Sequence, residues 1–149
     1  MKPEKMTKEY SKDEMIIAFD EAYERLIAAA NAAVERGVLV REGEWGPREV
    51  LAHIAGWGVE ATERLPRVLA GAPALVYDDN AFNAAIITML GDQSYVQVRN
   101  LLQQTHQHFV HMLHAQDESV FTPGNPVYER VKAVIQHHLQ HVEELDAWA

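Results

Sequence analysis

The chain has 149 residues, 48% of them hydrophobic and 23% charged, which is typical of one globular domain with a substantial core. Its formal charge is −9 and its thirteen Lys and Arg residues are scattered, so the sequence argues against a nucleic-acid partner. There is no cysteine, which excludes disulfides, thiolate metal ligands and a cysteine nucleophile.

The first two helices are predicted from caps and apolar spacing. Ser11-Lys12-Asp13-Glu14 has the capping-box pattern, and apolar residues then recur at helical spacing from Ile16 to Val34, until Gly37 supplies a stop. A second helix is predicted from Gly46-Pro47 to about Ala70, because proline suits the first turn of a helix. Pro66 is expected to bend the last turn of this helix.

A long connection follows the second helix. It contains a short helix predicted over Phe82 to Leu90, with Asp78-Asp79-Asn80 as candidate caps and Gly91 as its end. A third long helix is predicted from Tyr95 to Ala115. The fourth runs from about Val127 to Trp148.

Four long helices without an alternating strand pattern predict an all-α fold, a four-helix bundle. The link from helix 2 to helix 3 is about twice as long as the other two links, which favours an up-down-down-up order with a crossover that carries the short extra helix. We expect residues 1–149 to form a single domain, with residues 1–10 as a flexible tail. No apolar run approaches a membrane span, so we expect a cytoplasmic protein with no membrane partner.

Histidines are the candidate metal ligands. His53 lies on the apolar face of the second helix, where a lone histidine is more often structural than a ligand. His137 and His141 are spaced i,i+4 on the fourth helix, which sets two imidazoles side by side, and three imidazoles could hold one divalent metal with a position open to water. His138 competes for the same role, and helix phase leaves the choice between His137 and His138 open.

Other polar residues offer further chemistry. Glu60 shares the stripe of His53 and is the first candidate for acid or base catalysis, with a salt bridge to Arg64 as the alternative. Glu49, one turn before His53, is a candidate hydrogen-bond partner of that histidine. The histidines of the third helix are expected to be solvated or structural: His106, His108, His111 and His114.

Three segments carry a family resemblance. The segment from Trp45 to Trp57 (WGPREVLAHIAGW) looks like a second-helix signature. The segment from Asp79 to Asn83 resembles a short Asp-x-x-x-Asn stretch, and that from Gln136 to Trp148 a C-terminal His-x-x-x-His helix that ends in tryptophan. Together they resemble the DinB/YfiT-like superfamily, and more closely its DfsB or ClbS-like branch. The resemblance covers residues 13–148.

The resemblance implies a ligand set. The superfamily's metal triad corresponds to His53, His137 and His141, which decides against His138 as the ligand. The branch usually has an aromatic residue at position 138, so His138 is a departure that could add a ligand or a proton donor. Asn83, which ends the Asp-x-x-x-Asn stretch, could cap a helix or orient a substrate.

The resemblance also implies an activity. Superfamily members include S-transferases and isomerases that use mycothiol, bacillithiol or glutathione, and the ClbS-like branch includes a self-resistance hydrolase that opens a strained cyclopropane in a genotoxin. We therefore expect a metal-binding small-molecule hydrolase or thiol S-transferase that acts on an electrophilic or toxic compound. The alternatives are a ClbS-like metal-independent hydrolase or ligand-sequestering resistance protein, and a non-catalytic structural bundle.

The candidate ligands and the resemblance also indicate cofactors and partners. A divalent metal is expected, zinc or nickel before copper or iron. The resemblance also implies a low-molecular-weight thiol as a second cofactor, and any such thiol must come from outside, because the chain has no cysteine. The expected partners are a small-molecule substrate and a second copy of the chain in a homodimer.

Overall fold

The computed structural model describes residues 9–38, 40, 44–73 and 75–148. Over these residues the chain is all helical, as predicted, with five α-helices, a short 3₁₀ helix (Glu118–Val120) and no strand. Residues 1–8 of the predicted tail lie outside them. None of the described helices has a stretch long and apolar enough to cross a membrane. The α-helices are α1 (Lys12–Glu35), α2 (Pro47–Leu69), α3 (Asp79–Leu90), α4 (Tyr95–His114) and α5 (Pro126–Ala147).

Local capping sets the ends of α1 as the sequence predicts. The Ser11 hydroxyl accepts the Glu14 backbone N–H at 3.2 Å, and the Glu14 carboxylate accepts the Ser11 backbone N–H at 3.1 Å. Gly37, just past the C-terminus of the helix, has a φ of +68°, a conformation that glycine adopts without a steric penalty. The predicted apolar stripe of α1 extends too far at its C-terminal end, because Val34 is 44% exposed.

The start of α2 also follows its sequence. Pro47 occupies the first turn, and the carboxylate of Glu49 accepts the Gly46 backbone N–H at 3.0 Å. Pro66 lies inside the last turn, and the helix continues past it to Leu69.

The start of α3 differs from the prediction. The helix begins at Asp79 rather than Phe82, because the Asp78 carboxylate caps it by accepting the Ala81 backbone N–H at 3.1 Å. Asn83 therefore lies within the helix, whose caps are Asp78 and Gly91, and the capping interpretation of Asn83 was wrong.

The chain divides into two compact units, residues 1–39 with 110–149 and residues 40–109. The single-domain prediction stays a prediction. In the first unit α1 packs along α5. The Tyr10 backbone N–H donates to the Tyr128 hydroxyl at 3.1 Å, and the Arg36 guanidinium donates to the Leu145 carbonyl at 2.7 Å and to the Trp148 carbonyl at 3.2 Å. Both the starts and the ends of the two helices therefore meet, so α1 and α5 are parallel. The core of this unit includes Met15, Phe19, Leu26, Tyr128, Val131, Ile135, Val142 and Leu145.

In the second unit α3 packs against α2. The contact is close at Gly56, where an added Cβ would clash with the Ile86 Cδ1 atom. Most of α3 is exposed or half-buried, and Leu90 is its one buried residue. The core of this unit includes Val50, Leu51, Ala61, Leu65, Val98, Leu102 and Phe109.

Cations from other elements cap three helix C-termini. Arg36 at the end of α1 serves α5, as described above. The Lys12 ammonium donates to the carbonyls of His114 (2.8 Å) and Gln116 (2.6 Å), just at and after the end of α4. The Arg48 guanidinium donates to the carbonyls of Gly91 (3.2 Å) and Gln93 (2.7 Å), which follow α3. Each contact pairs a positive charge with carbonyls at or just beyond the C-terminus of a helix, where the helix dipole is negative.

Candidate metal centre

His53 is held by a hydrogen bond that fixes its tautomer. The side chain lies on α2 and is 7% exposed. Its Nδ1 atom lies 2.9 Å from the Asn83 Oδ1 atom, and the Trp57 indole N–H donates to the same oxygen at 2.7 Å. Because an indole nitrogen only donates, the Asn83 atom that it contacts must be the oxygen. His53 Nδ1 therefore carries the proton, and Nε2 bears the lone pair.

Aromatic rings pack around this hydrogen bond. Trp57 lies against Phe82 with ring centroids 4.2 Å apart, and Tyr77 packs edge-on against Trp57 at 5.6 Å. The Trp45 ring lies 5.1 Å from the imidazole of His53. These contacts limit rotation of the Trp57 indole, so the donor that orients Asn83 is itself held in place.

Glu60 has a defined partner in the same unit. The Tyr77 hydroxyl donates to the Glu60 Oε1 atom at 2.9 Å. The aromatic cluster of Trp57, Tyr77 and Phe82 thus supplies donors to both Asn83 and Glu60.

The proposed partnership of Glu49 with His53 does not occur at Nδ1. One Glu49 oxygen accepts the Gly46 backbone N–H, and the other accepts from the Arg48 guanidinium at 2.6 Å. Asn83 instead occupies the position at His53 Nδ1. Glu49 is the third residue of α2, and its carboxylate caps the start of that helix.

On α5, His137 and His141 face each other. Their Nε2 atoms are 3.0 Å apart, and the Glu144 carboxylate lies 2.9 Å from the Nδ1 atom of His141. A carboxylate accepts, so His141 Nδ1 carries the proton and its Nε2 is the lone-pair atom. Two nitrogens bound to one tetrahedral Zn²⁺ at about 2.0–2.1 Å would be about 3.3 Å apart, close to the spacing of this pair.

His138 lies elsewhere on α5. It is 3% exposed, and its ring packs edge-on against Phe19 of α1 with centroids 5.6 Å apart. Helix phase could not separate His138 from His137, because both flank the apolar seam of α5. The two histidines differ in the structure because the ring of Phe19 packs against the imidazole of His138.

The histidines of the metal prediction form one group. His53, His137 and His141 each offer one ligand atom, and these atoms lie within 4.8 Å of one another, so the group could hold a metal ion. Three imidazole nitrogens, two of them with lone pairs fixed at Nε2, are a donor set that suits a borderline divalent cation. On α4, His106 is buried, whereas His108, His111 and His114 are exposed, and none belongs to the group.

The described part of the chain is all helical and carries a histidine group of this kind, which places it in a class of candidate metalloproteins. The chain belongs to the DinB superfamily, whose family model matches residues 18–145. Comparison with curated proteins and with solved structures gave no match. The superfamily resemblance found in the sequence is thereby confirmed, and DinB-like proteins are typically metal-binding.

Three residues of this region were missed as functional candidates. Trp57 closes the second-helix signature, and its indole could have been recognised as a donor in need of a partner. Glu144 follows His141 at i+3, a spacing that places side chains together on a helix. Tyr77 had no signal in the sequence, because its contacts with Trp57 and Glu60 depend on the path of the loop before α3.

Proposed function

We propose that the chain is a metal-dependent enzyme in which His53, His137 and His141 hold a divalent metal. The observation that carries the proposal is the hydrogen bond between His53 Nδ1 and Asn83 Oδ1, because it places the proton on Nδ1 and makes Nε2 the lone-pair atom of a buried histidine. Zinc or nickel suits an all-imidazole donor set.

The reaction that we propose is hydrolysis of a small electrophile, or transfer of an external thiol to it. A bound metal would supply a water of lowered pKa or an activated thiolate. Glu60 would accept the proton that the nucleophile loses, and the hydrogen bond from the Tyr77 hydroxyl would hold that carboxylate in position. Since the chain has no cysteine, any thiol must be part of a second substrate.

Within the superfamily we propose the DfsB or ClbS-like branch, and with it the up-down-down-up four-helix bundle. The motif segments ending at Trp57, Asn83 and Trp148 support the branch. The parallel arrangement of α1 and α5 supports the topology, because the first and last helices of that order run in the same direction, whereas those of a simple meander do not.

Metal content tests the proposal. Protein purified without a histidine tag, stripped with a chelator and reloaded with Zn²⁺ or Ni²⁺ should bind about one ion per chain by elemental analysis. His53→Ala and His141→Ala should each lose most of this binding, because two imidazoles hold such an ion far less tightly than three.

Two variants are matched controls for these losses. His108→Ala removes an exposed histidine of α4. His138→Tyr replaces a buried histidine that adjoins His137 with the kind of residue usual in the branch. Both should retain the metal. Folded wild-type protein that binds neither ion at micromolar concentration would contradict the proposal and leave the metal-independent hydrolase or ligand-binding alternative.

A further inference from the structure

The second unit contains an apolar cavity that the metal centre does not use. Its volume is about 320 Å³. The floor is formed by small residues of α2, Ala52, Ala55 and Gly56, whose short side chains leave the space open. The facing wall is formed by Phe82, Ile86 and Met89 of α3.

The lining chemistry restricts what the cavity can bind. Among the described residues that line it, Gln93 is the polar one, and the rest are apolar. A charged ligand would lose its hydration without gaining a partner, which costs several kcal/mol. The chain's formal charge of −9 further disfavours anions. The lining therefore suits an uncharged group, with the Gln93 amide available for one hydrogen bond.

The size of the cavity favours a small molecule over a protein segment. Ligand pockets usually have volumes of roughly 300–1,000 Å³, and this cavity lies at the lower end of that range. An α-helix is about 10–12 Å in diameter with its side chains and needs a longer groove. At the mouth, Val59 is 45% exposed and Met89 is 82% exposed, so a ligand has access to the cavity from solvent.

We propose that this cavity binds the aryl or alkyl part of an uncharged small molecule, whether or not the histidines hold a metal. An aryl group would pack against the ring of Phe82. The rings of Trp57 and Tyr77 also contact Phe82 and hold it in place. Phe82 precedes Asn83, the residue that orients His53, so the same helix lines the cavity and supports the candidate metal centre.

Titration with the uncharged fluorescent probe N-phenyl-1-naphthylamine tests the proposal. The full chain should bind about one probe with saturable enhancement of fluorescence, in chelator as well as in Zn²⁺. Val59→Glu and Met89→Glu each place a carboxylate at the mouth and should weaken binding at least tenfold. Val96→Glu is the matched control, because Val96 is 50% exposed in the same unit and does not line the cavity. It should bind like the wild type.

The outcomes separate this proposal from the metal site. His53→Ala should lose metal and keep the probe, whereas Val59→Glu should lose the probe and keep the metal, with circular dichroism confirming that each variant is folded. The proposal is overturned if binding does not saturate, or if Val96→Glu weakens it as much as Val59→Glu. It is also overturned if light scattering shows a dimer that excludes the probe, since a second copy would then occupy the cavity.

Discussion

Replacing Asn83 with leucine removes the acceptor shared by His53 and Trp57 while keeping the size of the side chain. In the wild-type protein this oxygen holds His53 in the Nδ1–H tautomer. Without it the imidazole can rotate or move its proton to Nε2, and either change removes a lone pair from the metal. Loss of such a partner typically lowers metal affinity 10- to 100-fold, or about 1.4–2.8 kcal/mol.

The same substitution has a cost in stability. A buried donor left without an acceptor costs about 1–3 kcal/mol. His53 is 7% exposed, so water has little access to its N–H. Trp57 is only half-buried, so water can hydrate its indole N–H. We therefore expect a loss of about 1–3 kcal/mol in the free energy of unfolding for Asn83→Leu, near that of one lost acceptor.

Competition with a fluorescent zinc chelator measures the affinity, and urea unfolding measures the stability. Asn83→Asp should retain both hydrogen bonds and bind metal at least as tightly as the wild type. Asn80→Leu, an exposed asparagine on the same helix, is the control and should change neither quantity by much. If Asn83→Leu binds zinc as tightly as Asn80→Leu while remaining folded, the hydrogen bond does not position His53 and the reasoning is refuted.

Three further predictions concern stability and ionisation. Arg36→Met should lower the free energy of unfolding by about 1 kcal/mol, because it removes the cation that binds the last carbonyls of α5. Arg25→Met, at an exposed site of α1, is the control and should have little effect. Equal losses in the two variants would contradict this prediction. Gly56→Ala should lower the free energy of unfolding by about 1–3 kcal/mol, because the new methyl group clashes with Ile86. Adding Ile86→Ala should recover part of that loss. Additive losses in the double-mutant cycle would exclude the clash. Burial raises the pKa of Tyr95 to about 12, with Arg99 opposing the shift, so its stabilising contribution is complete below about pH 10 and falls as pH rises toward 12. An ultraviolet tyrosine titration checks this, since Tyr95→Phe should remove a step near pH 12.

The ends of the helices could be predicted where the signal is local. Ser11 with Glu14, Gly37 and Pro47 each act within a few residues of their own position, and their effects appear in the structure as the sequence indicates. The start of α3 was less determined, because Asp78, Asp79 and Asn80 can all cap a helix. In the structure Asp78 is the N-cap, and its extended backbone conformation distinguishes it from the other two residues.

The support of His53 could not be predicted, for a related reason. Asn83 and His53 are thirty residues apart, and no periodicity connects them. The path of the chain between α2 and α3 brings the amide to the imidazole, with Tyr77 placed on the same path. The assignment of His137 over His138 likewise depended on the family pattern, since the contact of His138 with Phe19 joins two helices at opposite ends of the sequence.

The parallel arrangement of α1 and α5 determines how the first unit would respond to mechanical force. Tyr10 lies at the start of the pair, and Trp148 lies at its far end beside Arg36. A pull applied between these two residues acts along the helix axes in opposite directions, so it slides α1 against α5 and loads all of their side-chain contacts together. Antiparallel helices held at neighbouring ends would peel apart one contact at a time. The first unit is therefore built to resist extension between its ends.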